Sequence, residues 1–441
     1  MTRPTSLEHR NERPKQMFTR ALALIALAGI ALALFAPSEG RSQTTQDQPL
    51  PPRIVIDIDS PTRALYRIAI PNLLGGDASA GMAAAEVLRN DLRLVSLFNV
   101  LNPASFIANA QQEGLGIVEA PWSSIGAQGV VKGSLSGGVC ELRFYELARG
   151  GTPALTRTYK GGDMRANMHD FGNELLKLLT GKLGGFGTRI TYARKVGPGR
   201  KDIYVADFDG YKPGRVSSGK GNAMLPSFGP GGVWYSVLNP LGSFITNVAQ
   251  RERPIIQSEG LNTGSAICGG RVVFSSTRDG NSELYSSNPD GGDVRRLTNN
   301  PAIDVSPACG PAGQIAFVST RHGAPQIFLM SSGGGEPKRI TYKGSHNQTP
   351  AFCPDPETPL VGFAGRDGGG WDIFTVNLKN GAYTRLTQGQ GSNQDPAFSP
   401  DCRMVMFSSS RGGLYISNPE GLNQTKILSG ALTTVRWRTR K

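Results

Sequence analysis

Few residues in this 441-residue chain stand at spacings that could do chemistry. Each candidate lacks a partner that its chemistry requires. A serine nucleophile needs the Gly-x-Ser-x-Gly elbow, which exposes the hydroxyl on a sharp strand-to-helix turn. Gly280-Asn-Ser282-Glu-Leu284 fails that pattern at its last position. Gly133-Ser-Leu-Ser-Gly137 and Gly333-Gly-Gly335 lack the lysine and helix start of a phosphate loop. Asp202, Asp207 and Asp209 are spaced like calcium ligands, but Gly210 opens a turn and no closing glutamate follows. Asp304, His346 and Asp395 are the one convergent set a hydrolase could use, and no nucleophile, base and orienting group can be assigned among them. His9, His169 and His322 are scattered. The five cysteines, Cys140, Cys268, Cys309, Cys353 and Cys402, include no pair at metal-ligand spacing. An oxidising compartment permits disulfides, but sequence does not pair these residues, and they read as single small buried side chains. The expectation is a protein with no catalytic centre, metal or cofactor.

The elements explain why chemistry is sparse. Arg3, Arg10, Arg13, Lys15 and Arg20 precede an unbroken apolar run from Ala21 to Ala36, followed by Pro37, Ser38 and Gly40. This is the layout of an export signal, and the run falls short of the roughly 20 apolar residues a spanning helix needs. Residues 1–42 read as the signal, with cleavage between 36 and 43, leaving no membrane segment in the mature chain. That removes six basic and three acidic side chains and lowers the net charge of +13 to +10. The remaining cations are dispersed with few aromatics among them, which argues for a solvated basic surface and against nucleic acid. Residues 43–60 read as a flexible N-terminal segment, within which Arg53-Ile-Val-Ile-Asp-Ile-Asp59 alternates like a strand. Residues 53–182 then mix short strands with two amphipathic helices. One spans Ala78–Asp91, with Met82, Ala85, Val87 and Leu88 facing a core; the other spans Met164–Leu179. That alternation predicts a small α/β domain.

From residue 187 onward the chain repeats itself. Phe274, Phe317, Phe363 and Phe407 recur, each followed by an arginine (Arg278, Arg321, Arg366, Arg411) and then by an apolar–aromatic pair such as Leu284-Tyr285 or Ile327-Phe328. Units close on Arg296-Leu-Thr298, Arg339-Ile-Thr341 or Arg385-Leu-Thr387, and new ones open on Ser306-Pro-Ala308, Thr349-Pro-Ala351 or Asp395-Pro-Ala397. Four short apolar segments per unit, joined by turn residues, describe a four-stranded antiparallel sheet of a propeller. The 57 glycines supply the turns. Two weaker copies precede the four clear ones, giving an α/β N-terminal domain followed by an all-β six-bladed β-propeller over 187–441. Thr433–Trp437 is expected to provide the innermost strand of the first blade and close the ring. Arg296, Arg339 and Arg385 read as solvated edge charges.

The stretch before each Pro-Ala strand crosses to the next blade's axis and lines the channel mouth. There stand Asn262 and Thr263, Asp304, His346, Asn347 and Gln348, and Asn393, Gln394 and Asp395. Loops on a rigid scaffold are where binding concentrates.

Asn-Pro-Asp-Gly-Gly-Asp-Val-Arg-Arg-Leu-Thr298, Arg-His-Gly-Ala-Pro-Gln-Ile-Phe328 and Pro-Ala-Phe-Ser-Pro-Asp401 resemble the repeats of the TolB family, soluble periplasmic components of the Tol-Pal system. Arg53-Ile-Val-Ile-Asp57 resembles the family's mature N-terminal segment, and Thr188-Arg-Ile-Thr-Tyr192 its entry into the first blade. The resemblance implies a monomeric periplasmic adaptor supporting outer-membrane integrity and constriction at division. It implies that the lipoprotein Pal is bound at one propeller mouth, through the residues just named, and TolA through Arg53, Ile54, Val55, Ile56, Asp57, Ile58, Asp59 and Ser60. The chain departs from the family's pattern in an irregular Phe244–Ile256, in Cys268, Cys309 and Cys353 beside innermost strands, and in Pro49, Pro51 and Pro52. The alternative class is a secreted propeller hydrolase or a carbohydrate-binding module. A sugar-binder needs exposed aromatics at the mouth, and none is expected there.

Overall fold

In the computed structural model, Ile56, residues 64–219 and residues 221–438 are described. The signal at 1–42 and every residue of Arg53–Ser60 except Ile56 lie outside them. Ile56 itself is buried and donates its N–H to the carbonyl of Leu179 at 2.9 Å.

The N-terminal domain is a five-stranded sheet of β1 (Tyr66–Ala69), β2 (Phe98–Val100), β3 (Gly129–Ser136), β4 (Val139–Glu146) and β5 (Leu155–Lys160), in the order β2-β1-β3-β4-β5. β1 runs parallel to both its neighbours, and the other pairs are antiparallel. Two 17-residue helices, α1 (Ala78–Leu94) and α4 (Met164–Thr180), supply apolar faces to the same core as the sheet. Asp77 and Asp163 cap them by accepting backbone N–H bonds from Ser79 and Arg165. The buried stripe of α1 is Gly81, Ala84, Ala85, Leu88 and Leu92. Met82, expected in that stripe, is 53% exposed. The reason is Gly81: a Cβ there would stand 2.3 Å from the Leu73 carbonyl oxygen, so the helix meets the chain at position 81 and turns Met82 aside. Two short helices, α2 (Ala110–Glu113) and α3 (Glu119–Ser124), complete the domain. Glu113 on α2 holds the Lys132 ammonium of β3 at 2.6 Å, with both side chains nearly inaccessible.

The second region closes into six sheets around an axis. Blade 1 takes its innermost strand from the chain's end: Leu432–Trp437 pairs antiparallel with Arg189–Gly197. Blades 3 to 6 have four strands each, and blade 2 has three. Within Phe244–Ile256 the outer strand of blade 2 is reduced to a bridge between Ile245 and Ile256 beside a short 3-10 turn at Val248–Gln250. The repeated aromatics stack across the two middle strands: Phe274 on Tyr285, Phe317 on Phe328, Phe363 on Phe374 and Phe407 on Tyr415, at 5.6–6.1 Å between centroids. Arg278, Arg321 and Arg411 lie over these rings.

The outer-strand arginines correct the sequence reading. Arg296 and Arg385 reach back to the buried carboxylates Glu283 and Asp372 on the third strand, and Arg296, Arg339 and Arg385 each donate to a threonine carbonyl two residues on. Those threonines, Thr298, Thr341 and Thr387, donate to Glu283, Gln326 and Asp372 and accept the next residue's N–H at 2.8–2.9 Å. Basic–aliphatic–threonine is thus a clasp holding the outermost strand to its sheet.

The cysteines are corrected too. Cys268 pairs with Cys309, joining the innermost strands of blades 3 and 4, and Cys353 pairs with Cys402, joining blades 5 and 6. Cys140 alone is unpaired and buried.

The two regions share a core. Leu175 and Leu176 of α4, Phe186, Phe208, Met404, Met406 and Trp437 belong to one apolar cluster. The glycine-rich connection is close-packed: a Cβ on Gly184 would meet Leu176 at 2.3 Å, and one on Gly185 would meet Pro400 at 3.0 Å. Lys182 bonds Asp355 and Glu357, Arg403 bonds Thr180, and Asn423 bonds the Arg93 carbonyl.

Candidate functional site at the propeller mouth

Every innermost strand breaks its ladder at the same place. Leu225, Gly264, Ser306, Thr349, Asp395 and Thr434 all have φ between 51° and 63°, one per blade. Each precedes Pro226, Ser265, Pro307, Pro350, Pro396 or Val435. Proline has no N–H to give the ladder, so a bulge is the natural response. The register shifts of blades 3 to 6 and of blade 1 straddle these residues. Six left-handed residues around one axis form a rigid waist enclosing a chamber of about 60 Å³. Non-glycine residues in this region cost about 1–3 kcal/mol each and cluster at functional sites.

Stepping outward from the waist toward the face where innermost strands begin, the mouth residues fall into rings. Thr263, Val305, Gln348 and Gln394 line the throat half-buried, and Gln348 donates to Gln394 at 3.0 Å across adjacent blades. One residue further out stand Asn262, Asp304, Asn347 and Asn393, all at most 1% exposed. These are internal ties rather than contact residues. Asn262 donates to the carbonyls of Ser243 and Ser258 and accepts from Ser276 and Arg278. Asp304 takes the Arg321 guanidinium at 2.8 Å; burial pushes its carboxyl up, and that arginine offsets part of the rise. Asn347 donates to Gln326 of the preceding blade and to the Lys343 carbonyl, and Asn393 to the Gly391 carbonyl. Asp395 belongs to the waist, accepting from the Thr434 N–H and the Ser408 hydroxyl. Asp304, His346 and Asp395 therefore occupy different rings, each with its own structural partners.

The accessible ring is the one before the ties: Leu261, Ile303, His346 and Ser392. Leu261 is 45% and Ile303 50% exposed. Leu241, 95% exposed, tops the neighbouring hairpin of blade 2, which bonds to this rim through the Ser243 N–H and the Gly260 carbonyl. Of this ring the sequence reading missed Leu261 and Ile303. The available signal was the apolar residue placed directly before Asn262 and Asp304. His346 packs edge-on against Trp371 at 4.8 Å, and burial followed by the Arg366 charge holds its pKa below the ordinary histidine value. Trp371 is half-buried behind the rim. Among the described residues, Asp91, His169 and Asp209 have ligand atoms close enough for a metal, but Arg165 ion-pairs with Asp209 there and supplies the positive charge.

Comparison with known proteins fits this architecture domain by domain. Residues 54–149 match the model of the TolB amino-terminal domain, and residues 176–361 that of the TolB beta propeller domain. The Tol-Pal system protein TolB of Anaeromyxobacter sp. (strain K) is 33% identical over 306 residues, covering 65% of this chain and 67% of that protein. The chain belongs to the TolB family. A second TolB, from Desulfosudis oleivorans, is 31% identical over 237 residues, and the chain spans about half of it, 54%. The crystal structure of TolB from Acinetobacter baumannii shares the fold, with a TM-score of 0.74 at 23% identity, over 86% of this chain and 98% of that one. Among the described residues, no helix is long and apolar enough to cross a membrane.

Proposed function

We propose that this TolB-family protein is a non-enzymatic periplasmic adaptor of the Tol-Pal system. It binds Pal through the upper propeller mouth and TolA through the segment 53–60, and so supports outer-membrane integrity and constriction at division. The observation that carries the reading is the rim of Leu241, Leu261 and Ile303, exposed apolar side chains on a ring stiffened by six bulges. Exposed apolar residues around a polar throat suit a protein partner, and a rigid ring lowers the ordering cost of binding. The mouth residues Thr263, His346, Gln348 and Gln394 add polar contacts, while Asn262, Asp304, Asn347, Asn393 and Asp395 hold the ring from within.

The test is calorimetric titration of residues 43–441 with the soluble domain of Pal from the same organism. Saturable one-to-one binding is expected, weakened at least about tenfold, 1.4 kcal/mol, by Leu261→Asp with Ile303→Asp at unchanged melting temperature. Asn347→Ala is expected to lower the melting temperature as well as affinity. A well-folded protein that does not bind Pal would overturn the reading. Deleting residues 43–60 is expected to abolish TolA binding.

A further inference from the structure

The other end of the channel has no assignment. On the face where the innermost strands end, the waist opens into a cavity of about 650 Å³, within the range of small-ligand sites. Its wall carries Phe228, Phe352, Phe398 and Trp437 among prolines and alanines, and the disulfide of Cys268 and Cys309 fixes part of its rim. Among the described residues, Arg436 is the single charged one lining the cavity, and it also lines the small chamber beyond, so it forms the floor between the two. Among the described residues, its guanidinium makes one hydrogen bond, to its own neighbour's carbonyl at Val435, 2.9 Å away, and no ion pair. A guanidinium has five N–H donors in a planar fork that matches a carboxylate, so four are left for a ligand. Arg436 is half-buried at this floor, and burial lowers its pKa, with the charge of Asp395 opposing. Among the described residues, no acidic one lines the cavity. A second cation, the exposed Arg438, stands 5.8 Å from the Phe228 ring centre at the wall.

We propose that this lower cavity binds a carboxylate carried on an apolar or aromatic body, with the anion on Arg436 and the body against the ring of aromatics. A free aromatic organic acid and the last residue of a polypeptide share that chemistry. The site is independent of the mouth proposed for Pal, since it lies beyond the waist at the opposite end.

The probes are N-acetyl-L-phenylalanine and its amide, and N-acetyl-Ala-Gly-Phe with a free or amidated C-terminus. They are titrated into residues 43–441, which contain the whole compact unit from Leu50, by calorimetry and by the indole resonance of Trp437. The acids are expected to bind saturably and shift that resonance, and the amides to bind at least tenfold more weakly. Arg436→Gln is expected to lose at least tenfold and Arg438→Gln two- to threefold. Ala308→Leu, which narrows the cavity and leaves the arginine in place, is expected to weaken binding. A tripeptide acid binding tenfold tighter than the single residue points to a protein chain end; equal binding points to a free organic acid. Amides binding as well as acids, Arg436→Gln binding unchanged, or no response to either acid would overturn the proposal. If Arg436→Gln does not fold, the acid–amide comparison on the unaltered protein and Ala308→Leu still decide it.

Discussion

Thr341 shows how much one hydroxyl can organise. Its Oγ1 accepts the Ile327 N–H and donates to Gln326, and Gln326 in turn accepts from Asn347 in the next blade. One side chain thereby fixes an outer strand and communicates with a neighbouring innermost strand. Thr341→Val removes the acceptor and the donor together, leaving a buried N–H unpaired. The expected loss is about 1–3 kcal/mol, measured by urea unfolding, with an unchanged slope if only the native contact is lost. The threonine was legible as a repeated feature, but its partner lies 15 residues away, so nothing local distinguished a clasp from a solvated edge. The same limit applies to Asn262, Asp304, Asn347 and Asn393. Polar residues in connecting stretches read as surface, and only the third dimension shows each one enclosed by the carbonyls and guanidinium or amide groups of its own and adjacent blades. For Asn262 and Asp304, the apolar Leu261 and Ile303 directly before them were the sign that the polarity pointed inward.

Strands and blades were legible because their periodicity is local: each aromatic pair, turn and Pro-Ala opening recurs within one unit. The pairing of cysteines was not, although it had a trace. Cys268 and Cys309 are 41 residues apart, close to one repeat, so they fall at equivalent places in adjacent blades. In a propeller that equivalence brings strand ends together around the axis, where a Cα separation of 5.4 Å suits a disulfide. Each bridge closes a long loop of the unfolded chain and is expected to contribute about 2–4 kcal/mol. Replacing Cys268 and Cys309 by serine should lower the guanidinium midpoint, and added reductant should then lower it further through Cys353–Cys402. An unchanged midpoint would mean that the interface of blades 3 and 4 holds without its covalent tie. Blade 2, with neither a fourth strand nor a disulfide, is where amide exchange should be fastest among the blades.

At the scale of the molecule, the glycine-rich stretch at 181–187 reads in sequence as a boundary, yet in space it is a close-packed seam. The Lys182 ammonium joins it to Asp355 and Glu357 of blade 5. Burial pushes the Asp355 carboxyl up, but hydrogen bonds from Lys182, the Glu357 N–H and the Thr358 hydroxyl outweigh it and hold the pKa below the usual carboxylate value. A depressed carboxyl contributes stability that is fully present above the unfolded value, about 3.9, and is lost as pH falls through the folded one. Acidification from neutral pH through the carboxylate range should therefore loosen the seam, read from Trp437 fluorescence. Asp355→Asn should reduce the acid dependence of that signal and lower the melting temperature at neutral pH.

The strand Leu432–Trp437 also sets an order in time. It is made after every other strand of the ring, yet it is the innermost strand of the first blade, and Trp437 sits in the apolar cluster that also holds α4 of the N-terminal domain. A chain emerging from its N-terminus can build the middle blades one after another. It cannot seal either its ring or the wall of its first domain until Leu432–Trp437 has arrived. A chain stopped before Leu432 therefore has two unfinished domains rather than one.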